Sequence, residues 1–202
     1  MFIIGITGGT GAGKTSALRA LESLGALVLD GDAIYHELLA GDAVLQAELE
    51  TRFPGVSRDD GIDRGLLGGI VFNDPSALKD LNAITHKYVS MEFNRRIAEW
   101  ESRGGALAAI DAIALIESGR NGKCDVVVGV TAPRETRISR IMARDGISRE
   151  QAELRLNAQR PDSFYRDNCD YMLDGVYATP GEFEVVCREF FIKLLGGDPN
   201  AG

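Results

Sequence analysis

The sequence predicts an α/β protein with a mainly parallel sheet, a helical insertion after the second strand and a helical lid near the C-terminal end. Three observations carry this expectation. Short apolar, β-branched runs recur at 2–7, 26–29, 106–110, 125–131 and 171–173. Each suits a strand and is too short for a helix. Segments of helical period stand between most of them, the pattern of crossover connections in a parallel sheet. The stretch 42–103 is helical in period and too long for a crossover, so it reads as a separate helical subdomain.

Phe2–Thr7 is the first strand and 8–13 a Gly-rich turn. Ala17, Leu18, Leu21 and Leu24 then mark one face of a helix over 14–24. The second strand, 26–29, ends at Asp30-Gly31-Asp32. Helical periods run from about Ala33 to Arg103, broken at Gly41, 54–61 and 73–75, with one or two long amphipathic helices over 76–103. After the strands 106–110 and 125–131, a helix over 133–144 places Pro133 in its first turn, where a missing N–H costs nothing. Asp145-Gly146 ends it. Ser148 and Gln151 fit a capping box that starts a helix reaching about Gln159. Pro180–Leu195 closes the fold, and the tail 196–202 is expected to fray. The predicted organisation is a core of 1–41, 104–132 and 168–202, a helical subdomain 42–103 and a lid 133–167.

Composition narrows the function classes. The 202 residues include 45% hydrophobic and 26% charged positions, ordinary for a globular chain. Lys and Arg number 22 against 30 Asp and Glu, a net charge of −8, and the basic residues are scattered. Such a chain is repelled by nucleic acid. Three cysteines at 124, 169 and 187 form no CxxC, which argues against a zinc site or a disulfide scaffold. No apolar run has the length of a membrane span, and the apolar N-terminus lacks a basic n-region, so a cytoplasmic location is expected.

The sharpest signal is Gly8-Gly9-Thr10-Gly11-Ala12-Gly13-Lys14-Thr15, which matches the phosphate-binding loop G-x-x-x-x-G-K-[ST] between a strand and a helix. Glycines let the backbone curl with its N–H groups turned inward as an anion nest, and the helix start adds its positive dipole end. Gly11, Ala12, Gly13, Lys14, Thr15 and Ser16 are therefore the nucleotide-binding candidates. Lys14 is placed to reach the β- and γ-phosphates of ATP, and the Thr15 hydroxyl to ligate Mg²⁺. The base-reading N-K-x-D of GTPases and the L-S-G-G-Q of ABC ATPases are absent. These features suggest a kinase for a small acceptor. Another small-acceptor kinase, a nucleotide-binding module without transfer and a scaffold remain as alternatives.

Around this loop stand candidate acids, bases and charge-neutralising groups. Asp30 and Asp32 follow the second strand, and in an extended chain they project to the same side. Asp32 is the candidate base and Asp30 its support, although Asp-Gly-Asp also suits a turn or a helix cap. Asp111, at the tip of a buried strand, is the candidate carboxylate for the Mg²⁺ shell through water; Glu117 is a weaker candidate. Arg137, Arg140 and Arg144 share one helix face, suited to closing over a triphosphate. Among them Arg140 is the catalytic candidate and Arg144 a nucleotide ligand. His86 reads as a packing or hydrogen-bonding residue rather than a catalyst, and His36 carries no functional assignment.

ITGGTGAGKTSAL…LGALVLDGDAI, DGIDRGLLGGIVF…LNAITHKYV and CDVVVGVTAPRETRISRIMARDGISREQAELRLNAQ, in that order, together resemble the dephospho-CoA kinase family across nearly the whole chain. The resemblance implies a P-loop NTPase three-layer core and ATP-dependent phosphorylation of the ribose 3′-hydroxyl of dephospho-CoA. It also implies Asp32 as base, acceptor binding by the helical insertion and a lid in the arginine-bearing hairpin. The expected partners are dephospho-CoA and ATP, with a monomer or weak homo-oligomer. The chain departs from the family pattern at His86-Lys87, where His-Pro is usual, in 112–117, and at Tyr165, where lysine is common.

Overall fold

A computed structural model of the chain describes residues 1–72, 74–112 and 114–196. The tail expected to fray lies outside these beyond Gly196, as do Asn73 of the predicted break and Ile113 of the departing segment. The elements are β1 (Phe2–Thr7), α1 (Lys14–Ser23), β2 (Leu27–Asp30), α2 (Gly31–Gly41), α3 (Ala43–Arg52), β3 (Ser57–Arg58), β4 (Gly61–Ile62), α4 (Arg64–Phe72), α5 (Pro75–Ser102) and β5 (Leu107–Asp111). After a 3-10 turn at Arg120–Lys123 come β6 (Val126–Thr131), α6 (Arg134–Asp145), α7 (Arg149–Asn157), α8 (Asp162–Asn168), β7 (Tyr171–Asp174) and α9 (Pro180–Leu195).

Five strands form one sheet in the order β2-β5-β1-β6-β7. β1 runs parallel to β5 on one side and β6 on the other, and β6 runs parallel to β7. Side chains alternate across the pleat. Ile4 and Ile6 enter a core with Ala17, Leu21, Phe183 and Phe191 from α1 and α9. Gly5 and Gly129 instead leave room for Leu115 and Cys124, and for Met172 and Cys169. At the feet of β6 and β7 an aspartate extends the ladder: Asp125 and Asp170 accept from the N–H groups of Ile3 and Val127, at 2.7 Å each. This sheet places β1 centrally, so the loop that follows it opens at the carboxyl edge, where α/β sheets bind ligands.

The chain forms two compact units, residues 1–29 with residue 100 onward, and residues 30–99. The first boundary falls well before residue 41, because α2 packs with α3 and β4. The helices of 133–167 belong to the first unit. The second unit has its own core, with Leu39, Leu45, Leu49, Phe53, Val56, Ile62 and Tyr88 among its members. There Gly61, at φ +122°, passes the Leu39 carbonyl so closely that a Cβ would sit 2.7 Å from it.

Several local expectations hold, and others shift. The capping box is present in both directions, Gln151 N–H to Ser148 Oγ and Ser148 N–H to Gln151 Oε1. Of the one or two helices expected over 76–103 there is one, Pro75–Ser102. Pro133 is the N-cap of α6, one position before its first turn. Asp32 is not in extended chain: α2 begins at Gly31, directly after β2.

A phosphate-binding loop as candidate active site

The loop joins the buried end of β1 to the start of α1. Gly8, Gly11 and Gly13 have φ of +135°, +77° and +118°, which L side chains rarely adopt. At Gly8 a Cβ would fall 2.2 Å from the Val130 carbonyl oxygen. Gly13 is the N-cap of α1 and brings no side chain to the helix start. The first amides of α1 are thus left to an incoming acceptor, as at any uncapped helix N-terminus. Lys14 folds back over the loop and donates from Nζ to the Gly8 carbonyl at 2.9 Å. Thr15 is exposed, whereas Ser16 is buried and its hydroxyl donates to the Pro180 carbonyl at 3.1 Å. The Ser16 N–H is also engaged, by the Gly13 carbonyl at 3.0 Å.

Two arginines of α6 clasp the loop from its carbonyl side. Arg140 donates to the carbonyls of Gly11 (3.2 Å), Ala12 (3.4 Å) and Gly175 (2.7 Å). Arg137 Nε donates to the Thr10 carbonyl at 2.9 Å. In a trans peptide the carbonyl and the following N–H point in opposite directions. The N–H groups of Gly11 and Gly13 therefore point away from the arginines, while that of Ala12 closes onto the Gly9 carbonyl at 3.2 Å. The shared face predicted for the three arginines thus divides. Arg137 and Arg140 grip the loop, and Arg144 pairs with Asp145 through Nε and Nη2 at 2.7 and 2.9 Å. Arg155 reaches the same carboxylate, so the Asp145 carboxyl is held below its ordinary range, first by Arg144.

Asp111 ends β5 beside Ile6 and is half-buried. With the Thr15 hydroxyl it offers hard oxygen donors suited to Mg²⁺, which keeps most of its shell as water and phosphate oxygen. Among the described residues no cluster of three His, Cys, Asp or Glu could hold a metal by itself. Asp30 is the N-cap of α2, its Oδ1 accepting from the N–H groups of Asp32 (2.8 Å) and Ala33 (3.1 Å). Asp32 is exposed in the first turn of that helix. Glu117 accepts from Arg160 at 3.4 Å. His36 and His86 are exposed, the former tilted against the Tyr35 ring. Lys87 reaches Glu48 at 3.1 Å, as does the Tyr88 hydroxyl at 2.5 Å. Tyr165 is fully buried, and burial pushes its phenol up from the ordinary value, so it serves packing.

Gly175 and Gln159 escaped the sequence reading. A Cβ on Gly175 would sit 2.1 Å from the Ala12 carbonyl oxygen, so the segment after β7 seats on the loop. Its signal was a glycine right after a short strand. Gln159 lies just past α7, and no local pattern ties it to residue 10.

A family model for dephospho-CoA kinase matches residues 2–178. The chain belongs to the dephospho-CoA kinase family. A dephospho-CoA kinase of Geobacter sulfurreducens is 40% identical over 195 residues, spanning 96% of this chain and 98% of that one. The crystal structure of TT1252 from Thermus thermophilus superposes with a TM-score of 0.77 at 34% identity, covering 97% of each chain. A dephospho-CoA kinase from Campylobacter jejuni superposes at 0.70 with 24% identity, covering 97% of this chain and 98% of that one, and shares the fold. The sheet, the loop and the clasping helix are thus those of a P-loop kinase.

Proposed function

We propose that this kinase transfers the γ-phosphoryl group of ATP to the ribose 3′-hydroxyl of dephospho-CoA, giving CoA and ADP, the last step of CoA synthesis. The observation that carries the reading is the family match over 2–178 around a complete loop from Gly8 to Thr15. In the transfer the 3′-oxygen forms a bond to Pγ, the bond from Pγ to the bridging oxygen breaks, and ADP leaves. The hydroxyl proton passes to the Asp32 carboxylate, which Asp30 orients by capping α2. The loop amides of Gly11, Gly13, Lys14 and Thr15 hold the phosphates, while those of Ala12 and Ser16 brace the loop on the Gly9 and Gly13 carbonyls. Lys14 exchanges the Gly8 carbonyl for phosphate oxygen. Arg140, anchored on Gly11, Ala12 and Gly175, sets the edge of the nucleotide site, and Arg144, exposed beside Asp145, adds positive charge on leaving that pair. Thr15, and Asp111 through water, would hold Mg²⁺, which supplies charge neutralisation at the phosphates. Alignment and electrostatics then account for the rate.

The helical unit 30–99 is proposed to bind the acceptor. Among the described residues no helix is long and apolar enough to cross a membrane, in keeping with a cytoplasmic enzyme acting on free substrates. The test is a coupled assay of ADP release. Dephospho-CoA is expected to support turnover and a panel of nucleosides and sugars is not. Turnover with a nucleoside but not with dephospho-CoA overturns the reading.

A further inference from the structure

Thr10 is held by every polar group it has. Its N–H donates to Gln159 Oε1 at 2.9 Å, its hydroxyl accepts from Gln159 Nε2 at 2.7 Å, and its carbonyl accepts from Arg137 Nε at 2.9 Å. Arg137 Nη2 closes the ring on Gln159 Oε1 at 2.7 Å, and Nη1 pairs with Asp162 at 3.2 Å. The Arg137 side chain is 6% exposed. Burying a guanidinium is costly unless its donors are satisfied, and here its donors meet Thr10, Gln159 and Asp162.

Gly9 gives independent testimony. It stands at an x position of the motif, where phosphate binding sets no residue type, and its φ is not left-handed. Its lack of a side chain answers to the network instead: a Cβ would lie 1.9 Å from Arg137 Nη2 and 2.7 Å from Gln159 Oε1.

We propose that Arg137 and Gln159 are positioning residues for phosphoryl transfer, which fix Thr10 and through it the curl of the loop that receives the phosphates. This rests on the reading that the loop binds ATP. Neither side chain touches the phosphates in this assignment; both act through the backbone of Thr10. Because they converge on one residue, their effects on ATP are coupled.

The test uses the full chain and Mg·ATP, titrated by calorimetry without acceptor and then varied in steady state against dephospho-CoA. Arg137→Ala and Gln159→Leu are each expected to weaken ATP binding about ten- to hundredfold and to raise the KM for ATP, with the KM for dephospho-CoA within about twofold. The double variant is expected to be little worse than the poorer single one. Gly9→Ala, which removes no hydrogen-bonding group, is expected to weaken ATP in the same way. Gln159→Glu keeps the acceptors and loses the donor to Thr10, so it should restore part of the loss. Variants that melt earlier but bind ATP like wild type at 25 °C show a merely structural role and overturn the proposal. If Arg137→Ala does not fold, Thr10→Val and Gln159→Glu carry the same readout. Wild-type protein that binds ATP but ignores dephospho-CoA removes the proposed reaction and leaves this inference to the calorimetry. Wild-type protein that binds no ATP overturns both.

Discussion

Asp30 and Asp32 stand two residues apart, yet the start of α2 gives them different work. The carboxylate of Asp30 is taken up by the first amides of the helix, while that of Asp32 remains exposed. A capping aspartate is a structural group, which leaves Asp32 as the residue we propose for the base. Asp32→Asn is expected to lower kcat by about 10²–10⁴ while leaving ATP affinity nearly unchanged. Near-normal turnover, measured beside an ATP titration, would remove Asp32 from that role. The cysteines are a second residue-scale matter. Burial pushes the thiols of Cys124 and Cys169 up to about 11 and that of Cys187 up to about 12. The thiolate is the nucleophile, so at pH 7.5 the native protein should react with iodoacetamide far more slowly than the unfolded chain. Rapid labelling followed by mass spectrometry would contradict this.

At the scale of elements, local chemistry was readable wherever it was strong. β1, the loop, α1, the capping box of α7 and the closing α9 each carry a periodic apolar pattern or a known cap. α8 did not show itself: it has seven residues, too few for a period, and its N-cap is Pro161, which makes no side-chain cap bond. β3 and β4 are two-residue strands, too short for any period, that pair Ser57 with Ile62 and Arg58 with Gly61, and β4 packs against α2. The end of α5 offers a direct probe. Trp100, the one tryptophan of the chain, donates from Nε1 to the Leu107 carbonyl at 3.1 Å. A Cβ on Gly105 would meet its indole at 2.2 Å. Gly105→Ala is therefore expected to expel the ring, red-shift its emission and cost about 1–3 kcal/mol in a denaturant titration. An unchanged spectrum and midpoint would show that the ring yields without loss.

For the molecule as a whole, acid stability rests on carboxylates held low by arginines, Glu92 in unit 30–99 and Asp145 in the other unit among them. In unit 30–99 the Arg95 bond, with help from Arg96, holds the Glu92 carboxyl down to about 2. A carboxyl lowered in the fold stabilises it fully above its ordinary range near 4.5, and that contribution is lost as pH falls towards 2. Thermal melts between pH 5 and 2 should therefore decline less steeply in Glu92→Gln than in wild type, from a lower plateau near pH 6. Parallel curves would assign the acid loss elsewhere.

The kind of fold and the phosphate loop with Lys14 and Thr15 were determined by sequence alone, because they rest on short-range pattern: strand, glycine curl, helix start; the family membership was legible too, from motifs that follow one another in order along nearly the whole chain. Most candidate residues were legible for the same reason, being acids or bases at the ends of recognisable elements. Tertiary structure decided the strand order, the cap at Asp30, the division of the three arginines and the placement of Gln159 and Gly175 against the loop. Those depend on which backbone groups approach one another across long separations, as Thr10 and Gln159 do across 149 residues. No local period encodes such a meeting; it follows from α6 and the residue just past α7 reaching the loop that follows β1.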